Sequence, residues 1–151
     1  MILGTAVHIL AALTWVGGML FAHVVLRPAT LPLEPPVRLA LWRRVLARFF
    51  PLVWVAIAAL LLSGYALVFE GFGGFRGAGL HIHLMQGIGL LMMLLFLHLF
   101  FAPWRRFQRA VDAADFAAAG RQLGQIRLIV TINLVLGLIT IIIGSTGRYW
   151  G

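Results

Sequence analysis

The stretch "VHILAALTWVGGMLFAHVVLRP", residues 7–28, holds twenty uncharged residues before its first arginine, Arg27, enough for one bilayer crossing. It also carries His8 and His23, fifteen positions apart, two groups that lipid penalises. Reading outward by hydropathy gives four spans, at about 2–26, 50–69, 83–101 and 128–145. The chain has 151 residues, 62% of them hydrophobic, and only 16 formally charged side chains. Four spans leave no room for a soluble domain, so residues 1–151 read as a single all-α integral membrane domain, a four-transmembrane-helix bundle. The first apolar run has no basic leader and is longer than a signal-peptide core, so it reads as a span. The absence of cysteine excludes disulfides, iron–sulfur ligation and thiol catalysis.

All twelve cations are arginine, and the formal net charge is +8. Such a balance in a soluble protein would suggest nucleic acid, but the placement argues otherwise. Arg27, Arg38, Arg43, Arg44 and Arg48 lie between the first two spans, and Arg105, Arg106, Arg109, Arg121 and Arg127 between the third and fourth. Only Arg76 and Arg148 fall elsewhere. The positive-inside rule puts both arginine-rich loops in the cytoplasm and both termini outside. The charge then serves topology and lipid headgroups, and no nucleic-acid partner is expected.

In the first loop, "RPATLPLEPP" holds prolines that prevent a continuous helix; "VRLALWRRVLARFF" alternates apolar residues and arginine at helical spacing. That segment is expected to begin as an interfacial helix and run into the second span. The glycine-rich "EGFGGFRGAG" reads as a short external turn, and the alanine-rich third loop as extensions of the third and fourth helices.

His83 and His98 in the third span are also fifteen apart. The first and third spans run in the same direction, so equal spacings put the pairs at matched depths. Fifteen residues make about 22 Å of helix and return within roughly 60° of the starting face. His8 is thus expected to face His83 near the outside, and His23 to face His98 near the cytoplasm. Two imidazoles meeting from parallel helices are what a six-coordinate haem iron needs, so two haems b stacked along the membrane normal are expected. Gly17, Gly18 and Gly87 (with Gly89) would leave room for the porphyrin plates. Arg44, Arg48, Arg105 or Arg106 inside, and Arg76 or Arg148 outside, would meet the propionates. His81 is read as an interfacial residue.

Methionine supplies a rival reading. Met19, Met85, Met92 and Met93 with the histidines are ligands suited to copper, but no His–Met cluster stands out on one face at matched depth. No carboxylate lies inside a span, which gives a proton-coupled carrier little to work with, and no nucleophile and base pair suggests a hydrolase.

The motifs "TWVGG", "RP", "RLALWRRVLARFFPLVW", "LLSGY" and "INLVLGLI" resemble the copper-resistance D (CopD) family of bacterial membrane proteins and the related HemJ-type protoporphyrinogen oxidases. The resemblance implies a four-helix protein of the bacterial inner membrane, with His8 matching the first-helix histidine. HemJ-type proteins bind haem b and carry His-x-Lys at the start of the third span, where this chain reads His81, Ile82, His83. The resulting expectation is a di-haem b-type cytochrome that passes electrons between a quinol or small redox molecule and a membrane or periplasmic acceptor. A single-haem oxidase using His8 and His83, and a copper binder or transporter losing metal when Met19 or Met85 is replaced, are the alternatives.

Overall fold

The computed structural model describes residues 1–150, except the side chain of Arg148. Four helices are long and apolar enough to cross a membrane: α1 (Ile2–Ala29), α2 (Pro35–Phe72), α3 (Leu80–Asp112) and α4 (Phe116–Thr146). Two 3₁₀ turns, Phe75–Gly77 and Gly147–Tyr149, complete the regular structure among the described residues. The four-helix expectation holds, and the loops are shorter than the spans suggested. The arginine-bearing segment 38–50 is one continuous helix with the second span, and α3 and α4 extend towards a tight turn at Asp112–Asp115. That turn is closed by the Asp115 side chain, which accepts from the Ala118 N–H at 2.9 Å and caps α4.

Three prolines are absorbed inside helices instead of ending them: Pro51 within regular α2, and Pro28 and Pro103 at or beside π-turns. Pro28 follows a π-turn at Ala22–Leu26, and Pro103 sits inside another at Phe100–Trp104. A proline removes one i→i−4 hydrogen bond, and a widened turn accommodates the loss. A third π-turn, Leu13–Gly17, interrupts α1 midway. Between α2 and α3 the chain turns on Gly73, whose φ of +64° ends α2 in the left-handed conformation that glycine adopts without strain.

Helix α1 packs along α2, and α3 along α4. The packed core lies mainly in the half nearer the arginine-rich loops. Phe50 is its centre, with ring centroids 5.1 Å from Trp104, 5.6 Å from Phe96 and 6.2 Å from Phe100. Trp54 adds contacts to Phe96 and Phe100, both at 5.5 Å, and Trp15 brings α1 to Phe96 at 6.1 Å. Most of these pairs are edge to face, the arrangement their quadrupoles favour. Asn133 of α4 is buried and donates from Nδ2 to the Met92 carbonyl of α3 at 3.2 Å. The outward faces carry Ile2, Leu13, Val55, Leu62, Leu94, Leu128 and Ile142, all exposed, as lipid contact requires.

Phe50→Ala is expected to destabilise the fold by about 3 kcal/mol, while Leu62→Ala on the lipid face changes stability by under about 0.5 kcal/mol. Unfolding by denaturing detergent from mixed micelles measures both, and equal effects would contradict the assignment of the core.

Candidate functional site

At the end of the bundle that carries the termini, His8 of α1 is half-buried against α2. Its Nδ1 lies 2.9 Å from the Ser63 hydroxyl, and that hydroxyl donates to the Ala59 carbonyl. Since Ser63 has one proton and Ala59 receives it, His8 must donate from Nδ1, which leaves Nε2 with its lone pair. The same device recurs at the other end. The Thr131 hydroxyl of α4 donates to the Arg127 carbonyl at 2.8 Å and lies 3.3 Å from Nδ1 of His23, so His23 also donates from Nδ1. Both α1 histidines therefore have the tautomer that suits an Nε2 metal ligand.

Their expected partners on α3 do not face them. The buried stripe of α3 runs through Met92, Phe96 and Leu99. His83 lies nine residues before Met92, which at about 100° per residue puts it on the opposite side of the helix. It is exposed there with Leu80, Gly87 and Leu90, its ring 6.1 Å from Phe75 of the preceding loop. His98 shares an exposed face with Leu91, Leu94 and Phe101. The equal spacings are not equal rotations. The segment from His83 to His98 is unbroken α-helix, whereas the one from His8 to His23 crosses the π-turn at Leu13–Gly17. An inserted residue there shifts the rotation by about 100°.

The interior does not fit two haems. Trp15 and Phe96 meet between α1 and α3 where porphyrin would have to lie. Gly18 offers no clearance, because a Cβ there would stand 2.3 Å from Cε2 of Phe49. Gly17 neighbours Leu13 of its own helix, and a Cβ on Gly87 would meet nothing within 4 Å. Arg44, Arg48 and Arg105 are exposed, the last with its guanidinium 5.1 Å over the Phe101 ring. Arg148, a further expected propionate partner, has its side chain outside the described residues. A recess of about 550 Å³, an open apolar groove between α1 and α2 lined in part by Gly4, Val7, Ala58, Ala59 and Ser63, lies away from the α1–α3 boundary.

A different set of donors shares one face of α3. His81 and Met85 are four residues apart, one turn of helix. Met92 follows seven further on. All three meet glycines of the segment running from α4: His81 against Gly147, the Met85 sulfur against Gly144, and the Met92 methyl against Gly137. A Cβ on any of these glycines would come within 3 Å of a neighbour: the His81 ring, the Met85 methyl, or Val16 beside Met92. The His81 ring also lies 6.4 Å from Trp150, edge to face. In the sequence His81 reads as interfacial, and no His–Met cluster stands out on one face. The signal was present in the four-residue spacing of His81 and Met85, but nothing in an all-apolar helix told which face met α4. Among the described residues no group of three or more His, Cys, Asp or Glu stands together.

Four apolar helices, apolar outward faces and arginine-rich loops at one end define a multi-pass α-helical membrane protein. Residues 43–146 match the family model for Copper resistance protein D, and the chain belongs to this CopD family. No curated protein and no solved structure matches it. His81, His83, Met85, Met92 and His98 fall within the matched region; His8 and His23 precede it.

Gly18→Ala is expected to lower stability by about 1–3 kcal/mol through the clash with Phe49, with Gly87→Ala neutral or slightly stabilising. Thermal unfolding in detergent checks the pair, and tolerance of a Cβ at position 18 would reopen that space to a ligand.

Proposed function

We propose that this protein binds copper as Cu(I) at the end of the bundle bearing the termini, as a copper-handling member of its family. The carrying observation is the alignment of imidazole and thioether donors on one face of α3, His81 with Met85 and then Met92 deeper, each seated on a glycine. Membership of a family described by copper resistance supports the same metal. Thioether and imidazole are soft to borderline ligands that select Cu(I) over hard cations. Both are neutral, so they hold a monovalent ion without adding a carboxylate to the membrane, where a second charge would be costly. The event is ligand exchange alone: water leaves copper, nitrogen and sulfur replace it, and no electron moves. Met92 is buried beside Phe96, so the donors end at the aromatic core, and copper held here is bound in the half of the bilayer nearer the termini.

By the positive-inside rule, the arginine-rich loops support a periplasmic position for that end in a bacterial inner membrane. A haem reading retains the free Nε2 of His8 and of His23 as support, but neither has a facing ligand on α3. Electron transfer with a quinol donor rests on the same haem and is decided by the same assay.

Detergent-purified protein titrated against a chromophoric Cu(I) chelator tests the proposal. The wild type is expected to compete for one Cu(I), with Met85→Leu and His81→Gln each weakening binding about tenfold or more. Leucine keeps the volume of methionine, so a loss at Met85→Leu reads the sulfur. Absence of competition by the wild type, or unchanged affinity in both variants, would overturn this site. A pyridine haemochrome assay giving two haems per chain would restore the cytochrome reading, and one would favour the oxidase.

A further inference from the structure

From the opposite end of the bundle, we infer a binding site for one phosphoester oxyanion, that of an anionic phospholipid headgroup, between α1, α2 and α4 around Arg127. It is independent of the copper reading. The Arg127 guanidinium lies 5.5 Å over the Trp42 ring. Its Nε and Nη2 are buried and have no hydrogen-bond partner. A guanidinium carries five N–H donors and always its charge, so leaving the three on Nε and Nη2 unmet away from water costs free energy that a bound anion would recover.

The charges nearest Arg127 are Arg27 and Arg38, both positive. Among the described residues the ion pairs are Met1 with Glu70 and Arg43 with Asp112, so no carboxylate answers this trio. Arg38 contacts the Leu31 and Leu33 carbonyls at 3.4 Å, which fixes it beside the α1–α2 loop. Trp42 is held in turn by its Nε1 donating to the Thr30 hydroxyl at 3.1 Å. Between these groups lies a recess of about 30 Å³ lined in part by His23, Arg27, Trp42, Leu46 and Arg127. That is room for about one oxygen atom. It admits one phosphate oxygen while the rest of the headgroup stays at the bilayer surface.

The ligand chemistry is that of a phosphate oxyanion between Arg27 and Arg127, which line the recess, with Arg38 adding positive charge nearby, and it is available from a lipid headgroup or from free phosphate. Position selects the lipid. The recess lies between the last turns of α1 and the early turns of α2 and α4, with Arg27 and Arg127 at the edge of the apolar spans, the headgroup depth at which basic pockets between membrane helices bind anionic lipids.

The test is native mass spectrometry of the full chain in detergent, titrated with phosphatidylglycerol, phosphatidylcholine or inorganic phosphate. One tightly retained phosphatidylglycerol is expected, with phosphatidylcholine retained roughly fivefold less. Arg127→Gln should abolish that preference, and Arg121→Gln, exposed on the same helix, should leave it unchanged. Should Arg127→Gln fail to fold, Arg27→Gln at an exposed position gives the same reading. Displacement of phosphatidylglycerol by excess inorganic phosphate, or a phosphate adduct without lipid preference, would overturn the lipid source. Equal retention of both lipids, or an unchanged preference in Arg127→Gln and Arg27→Gln, would overturn the site.

Discussion

Packing around Phe50 is the contact on which the rest of this bundle depends. Lipid tails are as apolar as leucine, so no hydrophobic effect draws helices together inside a bilayer, and shape-matched contact has to do it. Phe50 of α2 reaches Phe96, Phe100 and Trp104 of α3, and Trp15 of α1 joins through Phe96. These rings fill the half of the interior nearer the arginines. Close approach elsewhere falls to glycine, at Gly18 beside Phe49 and at Gly137 beside Val16 and Met92. The chemistry is thereby pushed outward, donors for a soft metal at one end and unanswered guanidinium groups at the other.

The two α1 histidines show how a polar group is kept inside such a bundle. A serine or threonine whose proton is held by the carbonyl one turn back can only accept, so each imidazole gives up its Nδ1 proton to it. One hydrogen bond satisfies the buried donor, and the remaining nitrogen keeps a defined lone pair. The same device recurs beside the arginine trio, where the Thr30 hydroxyl donates to the Arg27 carbonyl and accepts from Trp42 Nε1, while Arg127 remains short of partners.

The spans were legible because about 20 uncharged residues in a row have few other uses, and the arginine-rich loops were legible by their charge. The rotation of each helix was not. Membrane helices are apolar on every side, so Leu94 towards lipid and Phe96 towards the core look alike in sequence. The histidine pairing relied on uniform α-helix, and the π-turn at Leu13–Gly17 broke that assumption within α1 alone. Pro28 reads as a helix breaker, yet α1 runs through it after a widened turn, as α3 runs through Pro103. Of the candidate site, the donor types were visible and their grouping was not. His81 and Met85 do not stand out as a pair in the sequence, whereas the glycines at 144 and 147 seat them on one face.

Asn133 gives the α3–α4 pair a fixed register. Its Nδ2 holds the Met92 carbonyl, while its Oδ1 is buried without a partner. Sliding α4 along α3 by one turn, about 5.4 Å, would strand the whole amide in an apolar layer. The same slip would carry Gly137, Gly144 and Gly147 out from under Met92, Met85 and His81, replacing notches by branched side chains. One amide therefore works as a detent: the two helices can part or tilt, but they cannot ratchet past each other without losing both their polar lock and their fit.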